Sequence, residues 1–203
     1  PAKVLYYLEK GYFLAITGRK GPVWLEIPLD IQRMEVPTKI LEKFDPPIKK
    51  ENGQVVKKSL PSIISLIHRS KRPLILVGQG VRLAGAQEEF RNILQKTNIP
   101  VITTRLGIDL VESDDKLFVG RPGLYGDRAG NFAVQNADLI LCVGARLDTG
   151  IVGYDPLNWG RRAKKIVVDI DEKELDKPGI TIFKKVKADA KEFLVGLQQE
   201  YFH

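Results

Sequence analysis

The chain has 203 residues, room for one large domain or for one domain with a piece of another. Apolar residues make up 43%, charged residues 28% and aromatic residues 8%, an ordinary globular composition, and no apolar run reaches the ~20 residues that a membrane-spanning helix needs. The formal net charge is +7, yet no recognition motif or set of aromatics accompanies the basic runs IKKEN, VKKS, RRAKK and FKKVK; this argues against a nucleic-acid partner and leaves solvated lysine faces or a basic rim around a phosphate-bearing ligand.

The first residues, PAKVLYYLEKGYFLAITGRKGP, lack the order of basic head, apolar centre and cleavage site that marks a signal peptide. They begin without Met on a helix already under way, so a fragment of a longer chain is expected. Residues 1–17 place Val4, Leu5, Leu8, Tyr12, Ala15 and Ile16 at helical spacing, with Gly18 as the stop. VWLEI at 23–27 predicts a short strand ended by Pro28. Residues 34–58 are rich in proline and charge without a sustained period and read as an interdomain linker. The expected organisation is therefore residues 1–33, a linker over 34–58, and a domain over 59–203.

From Leu60 onward the pattern is regular. SLPSIISLIHRS predicts a helix with Ser59 as N-cap and Pro61 in its first turn. RPLILVGQG, IPVITT, DLILCVGAR, AKKIVVDID and TIFKKVKA predict strands; AGAQEEFRNILQKT, AGNFAVQNA, EKELDK and DAKEFLVGLQQEY predict helices between and after them. Continuously apolar strands alternating with helices imply an α/β fold, a parallel sheet with helices on both faces. Ligands of such sheets bind beyond the carboxyl ends of the strands, where Gly78, Gly80 and Gly144 fall.

Gly78 and Gly80 follow a strand and precede a helix, a place where backbone amides can meet phosphate, but the third glycine comes at Gly85, too late for the dinucleotide fingerprint. A tight turn is the other reading. VVDID at 167–171 ends a strand in carboxylates that could accept ribose hydroxyls or cap the next helix, and the pattern favours the cap. Cys142, the one cysteine, lies in an apolar strand and reads as a small core residue in a reducing, cytoplasmic compartment. His68 and His203 have no partner at metal-ligand spacing, and neither a nucleophile elbow nor a Walker loop is present.

Four blocks, in this order, carry a family resemblance: TGRKGPVWLEIPLDIQ, RPLILVGQGV, GLYGDRAGNFAVQNADLILCVGAR and VVDIDEKELDK. Together they resemble the middle domain of thiamine-diphosphate-dependent enzymes of the acetolactate synthase type, with the first block similar to the end of the preceding pyrimidine-binding domain. The resemblance implies a six-stranded parallel, Rossmann-like domain over 59–203 and a remnant of the pyrimidine-binding domain over 1–33. It implies a site for FAD, which does no redox chemistry there, for ADP or a CoA-like nucleotide, or for no ligand. Carried over by motif position, the cofactor-binding candidates are Arg19, Gly78, Gly80, Gly123, Gly126, Arg146, Asp171 and Asp189. Departures are Tyr125 for the family's His, Thr149-Gly150 for Asp-Arg, Gln79 and Ala188 for glycines, and Lys20 for proline.

The same resemblance places the activating Glu before Pro1 and the block that holds Mg²⁺ and thiamine diphosphate after His203. GDRAGN at 126–131 mimics that block but lacks its third-position glycine. It follows that this segment has no catalytic residue of its own and supplies scaffold and a nucleotide site to a carboligase or decarboxylase of 2-oxo acids. Its expected partners are the other domains of the parent chain and further copies in a homo-oligomer. A non-enzymatic nucleotide-binding or structural module is the alternative.

Overall fold

The computed structural model describes residues 1–36, 39, 41–47 and 53–201. The chain divides into two compact units, Pro1–Lys50 and Glu51–His203.

The first unit holds α1 (Val4–Ile16) and a single turn, α2 (Leu29–Gln32). Thr17 accepts the end of α1 in an extended conformation, and its hydroxyl donates to the Phe13 carbonyl. Phe44 folds back on α1, its ring 5.6 Å from that of Tyr6 and 5.4 Å from that of Phe13, while its amide donates to Glu9 Oε2 at 2.8 Å. Residues 23–27, expected as a strand, form none: Trp24 is 89% exposed, and among the described residues of this unit none is in a strand that could pair with the segment. A strand needs a ladder partner, and β-propensity alone does not supply one.

The second unit opens with α3 (Gly53–Arg69), six residues before the expected N-cap at Ser59. Its buried stripe of Val56, Leu60, Ile63 and Ile67 begins at Val56, so packing extends the helix N-terminally. Ser59 is thus interior, donating to the Val55 carbonyl at 2.8 Å, and Pro61 lies inside the helix. The strands are β1 (Pro73–Val77), β2 (Val101–Thr103), β3 (Phe118–Gly120), β4 (Leu139–Val143), β5 (Lys164–Asp169) and β6 (Lys184–Lys187). Between and after them run α4 (Gln79–Leu83), α5 (Gln87–Thr97), α6 (Arg128–Asn136), α7 (Thr149–Val152), α8 (Glu172–Leu175) and α9 (Ala190–Tyr201). β3, three residues long at the sheet edge, carries too little pattern to be read from the sequence.

All pairings are parallel, in the order β3-β2-β1-β4-β5-β6. This is the six-stranded Rossmann-like α/β sheet expected. Chain direction across the sheet reverses between β1 and β4, whose register pairs Leu76 with Cys142 and Val77 with Val143. Alternation along β4 sends Leu139, Leu141 and Val143 to a layer with α3, α5 and α9, and Ile140 and Cys142 to a layer with α6, α7 and α8. Both faces are therefore covered, which is why the strands read as continuous apolar runs.

The basic runs divide by position. On edge strand β6, Lys185 pairs with Asp176 at 2.7 Å and Lys187 with Glu172 at 2.6 Å, while Val186 is fully buried. Lysines on an edge also discourage pairing with another sheet. Within RRAKK, Lys165 departs from a solvated reading: it is 4% exposed and donates to the Gly160 carbonyl at 3.0 Å. Burial pulls its ammonium pKa down.

Candidate functional site

The carboxyl ends of the six parallel strands lie on one edge of the second unit, and seven of the eight candidate residues follow those ends: Gly78, Gly80, Gly123, Gly126, Arg146, Asp171 and Asp189. Arg19 is an exposed residue of the first unit.

At the reversal point two loops meet through bare backbone. Gly78 closes β1 in an extended conformation (φ −128°, ψ −175°), and Gly144 closes β4 at φ +54°. The Gly80 amide donates to the Gly144 carbonyl at 2.9 Å and the Gly78 amide to the Val143 carbonyl at 3.2 Å. A Cβ at Gly78 would stand 2.4 Å from the Gly144 carbonyl oxygen, and one at Gly80 would stand 2.6 Å from Gly144 Cα. Here glycine is required by the protein's own loop-to-loop contact.

A second glycine loop follows β3. The Asp127 carboxylate accepts from the Arg121 amide at 2.8 Å, and the Asp127 amide donates to the Arg121 carbonyl at 2.7 Å, closing the turn on itself. Asn131 of α6 clamps the loop reciprocally: its Oδ1 accepts from the Gly123 amide at 2.9 Å and its Nδ2 donates to the Gly123 carbonyl at 3.0 Å. The Leu124 amide donates to the Gly150 carbonyl at 3.0 Å, and a Cβ on Gly123, at φ +129°, would lie 2.1 Å from that oxygen. A Cβ on Gly126 would lie 2.4 Å from the Arg121 carbonyl oxygen. Tyr125, where the resemblance has a histidine, is 87% exposed at the tip.

Arg146 leaves the tip of β4. Its Nε lies 3.0 Å from Glu174 Oε1, and its side chain is 58% exposed against 8% for Glu174. Lys177 Nζ reaches the other oxygen, Glu174 Oε2, at 2.5 Å and donates to the Leu147 carbonyl at 3.2 Å. The carboxylates beyond β5 and β6 cap helices: Asp171 Oδ1 accepts from the Lys173 amide at 3.0 Å at the start of α8, and Asp189 Oδ1 from the Lys191 amide at 2.9 Å at the start of α9.

The sequence pattern alone assigns no role to Asn131 or Glu174. The Glu174–Lys177 spacing of i,i+3 was a readable signal for that pair. The clamps of Asn131 on Gly123 and of Glu174 on Arg146 are tertiary. Among the described residues no group of three or more His, Cys, Asp or Glu is placed to hold a metal ion. His68 rests against Tyr201, ring centroids 4.9 Å apart, and His203 lies outside the described residues. Cys142 is fully buried, and burial pushes its thiol pKa up to about 12, so it is no nucleophile at neutral pH. No described helix is long and apolar enough to cross a membrane.

Comparison with known proteins agrees with this architecture. The model of the thiamine pyrophosphate enzyme central domain matches residues 60–197. The acetolactate synthase large subunit of Corynebacterium glutamicum is 34% identical over 177 residues, 87% of this chain and 28% of that protein. A probable chloroplastic acetolactate synthase 2 of Oryza sativa subsp. japonica is 37% identical over 191 residues, 89% of this chain and 28% of that protein. A probable acetolactate synthase large subunit of Methanococcus aeolicus is 33% identical over 191 residues, 90% of this chain and 31% of that protein. The chain thus spans less than a third of the length of these relatives. With the match covering most of the sequence, the chain belongs to the thiamine pyrophosphate enzyme central-domain family.

Proposed function

We propose that the chain is the central part of a thiamine-diphosphate-dependent carboligase or decarboxylase of 2-oxo acids such as pyruvate, and that its carboxyl edge holds a nucleoside diphosphate, as FAD or ADP. In this reading residues 1–33 end a pyrimidine-binding domain, and the expected nucleotide domain over 59–203 takes in the whole of α3 from Gly53, so that the link expected over 34–58 ends before it; the parent protein is a cytoplasmic homo-oligomer. The exposed Tyr12 and Trp24 of the first unit, 69% and 89% accessible, suit a surface that other parts of an intact protein cover.

Arg146 carries the nucleotide reading. It stands beside the β1/β4 reversal point with a half-exposed guanidinium, whose planar fork suits two phosphate oxygens. Exposed Leu106, Leu124 and Tyr125 at the tips of β2 and β3 offer apolar surface for rings. Asp171 and Asp189 would border the site while capping their helices. Thiamine diphosphate, with Mg²⁺ held by other domains, supplies the electron sink when bound. The residues of this chain hold and orient; none performs a chemical step.

Thermal melting of the purified chain with FAD or ADP tests the site. A ligand at about 100 times its Kd stabilises by roughly 2.7 kcal/mol, a rise of about 5–10 °C for a unit this size. Pyruvate turnover with added thiamine diphosphate and Mg²⁺ should be nil. A colourless protein whose Tm ignores both nucleotides refutes the reading. It would favour instead a structural module with no ligand, which the mutual packing of Gly78, Gly80 and Gly144 supports, since that contact already uses the bare backbone.

A further inference from the structure

Glu174 is a charged side chain more than nine-tenths buried, and it holds two cations where one would neutralise it. Lys177 is the closer, at 2.5 Å, and is itself fixed by the Leu147 carbonyl. The pair with Arg146 is made through Nε, the inner nitrogen, 3.0 Å from Glu174 Oε1. Nearby, Asp148 accepts from the Ile151 amide to cap α7, Glu172 pairs with Lys187 and Asp176 with Lys185. Arg146 is thus anchored at the tip of β4 through its inner nitrogen, while its side chain remains 58% exposed.

We propose that Glu174, braced by Lys177, is a positioning residue that holds Arg146 by its inner nitrogen so that the outer nitrogens form a preset fork for a diphosphate. An unanchored arginine loses rotamer freedom when it is immobilised on a ligand; here folding has already restricted it. The ligand class is a diphosphate, whether part of a nucleotide or free pyrophosphate. Only the choice between these sources rests on the nucleotide reading above.

The test is a binding cycle on the whole chain, with inorganic pyrophosphate and ADP as separate probes and R146A, E174Q and the double variant as proteins. R146A should weaken pyrophosphate binding about tenfold or more, as expected for loss of charge-assisted hydrogen bonds, and R146K should restore it only in part. E174Q should weaken it several-fold with Arg146 present and add nothing in the R146A background, a coupling that a merely structural Glu174 would not show. Should E174Q not fold, E174D, which keeps the charge but draws it back by one methylene, replaces it with the same expected coupling. Additive losses, or full-strength binding by either single variant, overturn the proposal even if ADP binds. Arg146-dependent pyrophosphate binding without ADP binding upholds the fork and refutes the nucleotide reading, and a wild-type chain that binds neither probe refutes both.

Discussion

Gly78→Ala isolates the contact between the β1 and β4 loops. The new Cβ would lie 2.4 Å from the Gly144 carbonyl oxygen, 2.6 Å from Ala145 Cα and 3.1 Å from Ala145 Cβ, against ~3.3 Å for the closest ordinary C···O approach. Two of the three atoms are backbone, at the ends of two strands paired along their length from Pro73–Leu139 to Val77–Val143, so no side chain can rotate out of the way. Gly78 has an extended conformation open to alanine, so the cost is steric and not conformational. Overpacking of this kind costs about 1–3 kcal/mol, here at the upper end. The stiffer unfolded chain returns roughly 0.4–1 kcal/mol. A net loss of about 2 kcal/mol lowers Tm by about 4–8 °C in a domain this size. Gly85→Ala is the comparison: φ is +64° with open space around the Cβ, so it meets only the left-handed penalty of about 1–2 kcal/mol less the same return. Calorimetry or urea melts measure both, and amide exchange at residues 144–146 localises the damage. If Gly78→Ala melts within about 1 °C of the wild type, the two loops do not meet as described and the steric argument fails.

Asn131→Ala removes both bonds of the clamp on Gly123; at about 0.5–1.5 kcal/mol each the chain should lose about 1–3 kcal/mol, and the Gly123 and Leu124 amides should exchange faster, whereas unchanged exchange would show that the loop is held otherwise. Cys142 should resist alkylation in native buffer and react at once in urea. Its folded pKa is raised to about 12, so the unfolded state ionises first, near 8.5, and binds fewer protons above that pH. The stability it contributes is complete below about 8.5 and declines by about 1.4 kcal/mol per pH unit as pH rises toward the folded value; alkaline urea melts of wild type against Cys142→Ala should show this extra slope only in the wild type, and parallel curves would refute it.

Much of the fold was legible in the residues alone. Unbroken apolar runs such as LILCV, each followed by glycine or acid and then by a helical period, specify a covered parallel sheet, because burial on both faces and the change of period are local properties of the chain. Length and strength of pattern set the limits: three-residue β3 was invisible, α3 began earlier than its serine and proline suggested because its buried stripe starts at Val56, and VWLEI had strand composition without a strand to pair with. The order β3-β2-β1-β4-β5-β6 and the inner workings of the edge belong to the tertiary structure. A glycine read as making room for a ligand meets another glycine more than sixty positions away, and the arginine read as a phosphate fork pairs with a buried glutamate on the helix after the next strand. Periodicity reports which face of an element is buried; it carries no record of which distant backbone that face, or the turn after it, will touch.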